Sequence, residues 1–116
     1  MRDNVVKNKS FDFAIRIVNL SKYLVEQKRE YVLSKQVLRS GTAIGALIRE
    51  SEQAESKADF IHKLAIALKE ANETDYLLDL LHKTEYLEDK HHESPKTDIT
   101  ELIKLLITII KSSKNN

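Results

Sequence analysis

Residues 56–83 read SKADFIHKLAIALKEANETDYLLDLLHK, and this stretch decides the fold. Ser56-Lys57-Ala58-Asp59 has the form of a capping box with Asp in the reciprocating position, so a helix starts at about residue 57. Phe60, Leu64, Ala67, Ala71, Thr74, Leu78 and Leu81 then alternate steps of four and three without a miss. Such steps hold a narrow apolar seam on one side of a helix, the pattern of left-handed bundle packing. The seam predicts a helix over 57–84.

On its N-terminal side, residues 34–54 place Val37, Gly41, Ile44 and Ile48 on one helical face. The only two glycines of the chain, Gly41 and Gly45, lie inside this pattern. Each costs about 1 kcal/mol relative to alanine in a helix interior. Their presence predicts a second helix approaching closely over small residues, within the bundle or across a subunit contact. Arg39, Arg49 and Glu50 exclude a membrane span here. Further upstream, a helix is predicted over 10–27, with Ser10 as its N-cap and Phe11, Ala14, Ile15, Val18 and Leu24 as its apolar face. Phe13, Ile17 and Leu20 widen that face, and Lys9, Asp12, Arg16, Asn19, Lys22 and Glu26 form the solvated stripe.

Downstream, the polar stretch Glu88–Lys96 holds the single proline, Pro95, and reads as a loop. A fourth helix is predicted over 98–112, where Ile99, Leu102, Ile103, Leu105, Leu106, Ile107, Ile109 and Ile110 cover nearly the whole circumference. A helix apolar all round must be covered on more than one side, which predicts a further subunit. Short connections between long helices give an all-α, antiparallel, up-down-up-down four-helix bundle, one domain over 1–116, assembled as a homo-oligomer.

Composition narrows the function. With no cysteine among 116 residues, disulfide frameworks and thiolate metal sites are excluded. Two glycines and one proline are too few for an all-β chain. The longest apolar stretch, Leu102–Ile110, is too short to cross a bilayer, and no signal-peptide pattern opens the sequence, so a cytoplasmic protein without membrane contact is expected. Di-iron bundles need paired Glu-x-x-His motifs. Only Glu88-x-x-His91 and Asp79-x-x-His82 come near, one in the expected loop and one on the flank of the seam, so no metal is predicted. No nucleophile elbow or phosphate-cradling glycine loop is present, and neither an enzyme nor a cofactor is expected.

The net charge of +1 is unevenly spread. Residues 1–39 hold nine Lys/Arg against four Asp/Glu, whereas residues 40–93 hold six against twelve. Unlike surfaces on one subunit suit head-to-tail association into a ring. They also give a basic region able to hold phosphates, with Arg16, Lys22, Lys28, Arg29, Lys35 and Arg39 as its candidate contacts.

Residues 36–50, QVLRSGTAIGALIRE, together with Phe60–Leu81, including Lys69-Glu70-Ala71-Asn72-Glu73-Thr74 and Tyr76-Leu77, resemble the four-helix-bundle proteins encoded in bacterial 23S rRNA intervening sequences. The resemblance implies a homopentameric ring. It also implies kinship with the accessory variability proteins of diversity-generating retroelements, which bind nucleic acid, RNA or DNA, and a reverse transcriptase. This chain departs from the family pattern at Leu47, where Asn is usual, and at Ser51, often Gly. By position, Arg39, Gly41, Gly45, Glu50 and Glu70 are the motif residues. Arg39 and Glu50 share a helix face roughly 16 Å apart along the axis, so each needs a partner on Lys69, Glu70 or Glu73 or on the next subunit. The alternative function is a scaffolding oligomer that binds a protein and no nucleic acid.

Overall fold

In the computed structural model, which describes residues 2–115, four helices follow one another: α1 (Arg2–Lys28), α2 (Leu33–Ser51), α3 (Lys57–Lys83) and α4 (Asp89–Lys114). α3 starts as its capping residues require: Ser56 Oγ accepts from the Asp59 N–H at 3.0 Å. Leu64, Ala67, Ala71, Thr74, Leu78 and Leu81 are buried along it, and Phe60 is partly buried. Where α2 crosses the seam, the buried Thr74 hydroxyl donates to Ser40 Oγ at 2.8 Å and lies equally close to the Glu70 carbonyl.

The face of α1 that turns inward differs from the expected one. Val6, Phe13, Ile17, Leu20 and Leu24 are buried, while Phe11, Ile15 and Val18 point outward. Two stripes at helical spacing exist on this helix, and the glycines of α2 select between them. A Cβ on Gly41 would stand 2.8 Å from Ile17 Cγ2, and one on Gly45 would stand 3.4 Å from Ser10 Oγ. The close approach is therefore between α1 and α2 of one chain, with Ile17 filling the space over Gly41. Ser10 is not a cap. It is buried mid-helix opposite Gly45, its hydroxyl donating to the Lys7 carbonyl at 2.9 Å. α1 begins well before residue 10 because Val6 has a place in the core among Ile48, Phe60, Leu64 and Ile109.

α2 is capped from outside itself. The Glu30 carboxylate, only 9% exposed, accepts from the N–H groups of Val32 (3.3 Å), Leu33 (3.0 Å) and Ser34 (2.7 Å). The helix ends at Ser51, short of the expected 54, where Glu52, Gln53 and Ala54 bond back to Arg49, Glu50 and Ser51 in tight i→i+3 turns. At the opposite end of the rod, Arg29 (φ 53°) and Glu85 (φ 68°) turn the chain out of α1 and α3 in the left-handed conformation.

The expected loop Glu88–Lys96 is helical from Asp89 onward, and α4 runs on to Lys114, beyond the expected 112. Pro95 removes one backbone donor from this helix. Contacts with α3 hold the segment: His92 Nε2 lies 2.9 Å from Asp79 Oδ1, and Lys96 Nζ lies 2.6 Å from Asp75 and 2.9 Å from Asp79. Pro95 itself is buried. The rest of α4 is covered more fully by its own bundle than its composition suggests. Ile99, Leu102, Leu106, Ile109 and Ile110 are buried, Ile103 and Leu105 pack against the core, and Ile107 alone is left outward among its large apolar side chains.

Each helix packs antiparallel on its sequence neighbours, and α1 closes the ring against α4, giving a rod of 46 × 21 × 20 Å. The α1–α4 seam is bridged by polar side chains, Lys9 to Glu101 at 3.3 Å and Arg16 to Asp98 at 2.9 Å and to Ser94 at 2.9 Å.

Candidate nucleic-acid interface

The six cations expected to hold phosphates divide into two groups. Arg39 donates to Glu70 at 3.3 Å and to Glu73 at 2.8 Å, both on α3, and these carboxylates, Glu70 first, raise its pKa above the usual value. Arg16 is engaged with Asp98 and Ser94 on α4. Among the described residues Lys22, Lys28, Arg29 and Lys35 make no ion pair. All four lie toward the end of the rod where α1 passes into α2. Ser21 Oγ donates to the Ser34 carbonyl at 3.2 Å, which sets Lys22 and Lys35, one residue further on each helix, side by side near the Arg29 turn. Tyr31 (53% exposed) and Val32 (65% exposed) stand at the same turn. Free cations beside an exposed ring suit a flexible polyanion, phosphates on the ammonium groups and a base on the ring.

Glu50 does not meet Arg39. It accepts from Lys63 Nζ on α3 at 3.0 Å, so both charged motif residues of α2 are tied to α3 of the same chain. Leu47 is half-buried against the core, and Ser51 is buried with its hydroxyl donating to the Ile48 carbonyl at 2.6 Å.

A second surface was not anticipated. Phe11 (51% exposed), Ile15 (49%), Val18 (36%) and Val25 (38%) follow at steps of four, three and seven along the outside of α1, with Lys22 in the gap. Arg49 lies 5.2 Å over the Phe11 ring, a cation–π contact at the rim of the stripe. The signal was present in the sequence, but both stripes of α1 have helical spacing and only the glycines of α2 tell them apart.

The α3–α4 network was also missed. Asp75 and Asp79 are one turn apart on α3, and His92 and Lys96 one turn apart on α4, so the two pairs interlock. Burial works against the Asp79 charge, yet hydrogen bonds from His92 and Lys96 outweigh it and hold its pKa below the usual carboxylate value. Asp75 and then Asp79 raise the pKa of Lys96. His82 does not share a ligand set with Asp79. It pairs with Asp89 at 2.7 Å and stacks on His92 with ring centres 4.1 Å apart. Among the described residues no three His, Asp or Glu side chains converge as a metal site, and no helix is long and apolar enough to cross a membrane.

The described residues form an all-α four-helix bundle with an apolar stripe turned outward on α1. The family model of the 23S rRNA-intervening sequence protein matches residues 2–108, and the chain belongs to that family. A solved structure from Bacteroides thetaiotaomicron VPI-5482, a protein with unknown function from the S23 ribosomal protein family, is 65% identical. The match covers 96% of this chain and 99% of that one, with a TM-score of 0.94. No curated protein matches the chain.

Proposed function

We propose that the protein is a self-assembling helical bundle without catalytic chemistry, whose assembly holds nucleic acid on the basic end formed by α1 and α2. The observation that carries this reading is the apolar stripe of α1, left uncovered by its own bundle. Phe11, Ile15, Val18 and Val25 would each contribute about 1 kcal/mol on covering, since full burial of such side chains is worth ~1.5–3 kcal/mol. A second copy suits this face. Kinship with the intervening-sequence family favours a pentameric ring.

The nucleic-acid part rests on Lys28, Arg29 and Lys35 remaining unpaired beside Tyr31, whereas Lys22, in the gap of the stripe, is covered with it. Light scattering of the wild type should give a multiple of the 13.4 kDa chain, and Phe11→Ser with Ile15→Ser should return it to that mass. Labelled RNA and DNA, titrated at low salt, should bind the wild type and lose affinity when Lys28, Arg29 and Lys35 become alanine. A monomeric wild type would overturn the assembly, and equal affinity of both proteins would overturn the interface. Arg16 and Arg39 being held in ion pairs favours a second reading, a scaffold for a protein partner without nucleic-acid activity. Assembly without any nucleic-acid affinity would select it.

A further inference from the structure

Between α1 and the first two turns of α4 lies a cleft of about 330 Å³, at the lower end of the range in which proteins hold one small molecule. Its lining carries two cations, Arg16 and Lys90, and no carboxylate. Asp98 and Glu88, the carboxylates nearest to those cations, lie outside the lining. The adjoining cleft along the same seam, lined by Asp12, Asp98 and Glu101 beside Lys9 and Arg16, has the opposite balance.

Three further observations point to an occupant of stated chemistry. Lys90 and His91 stand in the first turn of α4. Glu88 and Asp89 at the same helix start offset part of its dipole, Asp89 being turned to His82 at 2.7 Å and Glu88 lying 4.0 Å from Lys90, and an anion in the cleft still meets Lys90. His91 is 35% exposed as a side chain, but its Nδ1 atom is covered and has no hydrogen-bond partner, Glu88 Oε1 being 3.8 Å away. A buried polar atom of this kind calls for a partner that the chain does not supply. Tyr23 and His91 then form an aromatic corner, ring centres 4.5 Å apart and inclined at 44°, above the apolar floor of Leu20 and Pro95.

We propose that this cleft binds a phosphate carried on a flat heteroaromatic ring, the chemistry of a nucleoside monophosphate, free or as the terminal nucleotide of a strand. The phosphate lies on Lys90, the base lies against Tyr23, and Arg16 borders the site while its guanidinium stays paired with Asp98 and Ser94. On α1 these residues are turned about a third of a revolution from the Phe11–Val25 stripe, so a copy covering the stripe leaves the cleft open. The cleft does not depend on the basic end described above.

The test titrates the full-length assembled protein, at low salt, with AMP, with ribose phosphate and with a short oligonucleotide bearing a terminal phosphate. AMP should bind saturably and more tightly than ribose phosphate. Lys90→Ala, at an exposed side chain that the fold does not need, should weaken AMP about fivefold, the scale of one solvent-exposed charge contact. Ser94→Trp, which fills the mouth, should abolish binding, whereas Lys22→Ala with Lys35→Ala should leave it unchanged. That last variant separates this site from the α1–α2 end. Binding of the oligonucleotide alone, still sensitive to Lys90→Ala, assigns the site to strand ends and supports the proposal. Absence of binding by both AMP and the oligonucleotide overturns it. So does affinity indifferent to Lys90→Ala and Ser94→Trp, or ribose phosphate held as tightly as AMP.

Discussion

Replacing Gly41 by alanine tests the α1–α2 seam directly. The new Cβ would stand 2.8 Å from Ile17 Cγ2, 2.9 Å from Cγ1 and 3.3 Å from Cβ. These are atoms at the branch of a fully buried β-branched residue, with one favoured rotamer in a helix, so the side chain cannot swing aside. Overpacking of this kind costs about 1–3 kcal/mol. The gain in helix propensity is about 1 kcal/mol, leaving a net loss of roughly 1 kcal/mol. Gly45→Ala has the same propensity gain, but its nearest neighbour, Ser10 Oγ, is at an ordinary 3.4 Å. It should therefore stabilise by about 0.5–1 kcal/mol. The assay is urea unfolding followed by far-ultraviolet circular dichroism at one fixed protein concentration, because assembly makes apparent stability concentration-dependent. In an Ile17→Ala background, where Cγ1 and Cγ2 are both gone, Gly41→Ala should change sign and stabilise. Equal effects of Gly41→Ala and Gly45→Ala, or no sign change in the Ile17→Ala background, would refute Ile17 as the reason for the glycine.

Glu30→Ala should cost about 2 kcal/mol, since it removes a cap and leaves N–H groups of the α2 start unpaired, while Glu30→Gln should lose about half as much; urea midpoints decide. Thr74→Val should cost about 1–2 kcal/mol by stranding the buried Ser40 hydroxyl, and adding Ser40→Ala should recover part of it, a double-mutant cycle giving the coupling. The α3–α4 network sets two limits in pH. Asp79, depressed in the folded state, contributes stability above the ordinary carboxylate pKa of about 4 that is lost as pH falls through its folded value. Lys96, raised in the folded state, contributes stability below the ordinary lysine pKa of about 10.4 that is lost as pH rises through its folded value. Thermal melts against pH should show both limbs, and Lys96→Met should flatten the alkaline one.

The sequence was most legible where local and tertiary preferences agree. α3 has a side-chain cap and an uninterrupted seam, and its predicted span differs from the observed one by a single residue. The first turns of α1 and α4 were illegible for the same physical reason. Ser10 and Pro95 are boundary signals locally, and packing overrode both, Ser10 because a small residue is needed opposite Gly45 and Pro95 because partners on α3 hold the surrounding turns. Charge could be counted along the chain, but which cations stay free depends on partners two helices away. Arg16 and Lys22 are alike in sequence context, yet one faces Asp98 and the other faces no carboxylate among the described residues.

The polar seam between α1 and α4 carries a consequence for the order of events. Its bridges join residues 92 and 78 positions apart, whereas the other three helix pairs are neighbours in sequence. Closing so long a loop has the largest entropic cost in the chain, and the exposed ion pairs that reward it are worth about 0–1 kcal/mol each and are screened by salt. The hairpins should therefore form first and the rod close last, opening again like a book along this edge while its pages stay folded. Amide exchange along the α4-facing side of α1 should then quicken with added salt long before the chain as a whole unfolds.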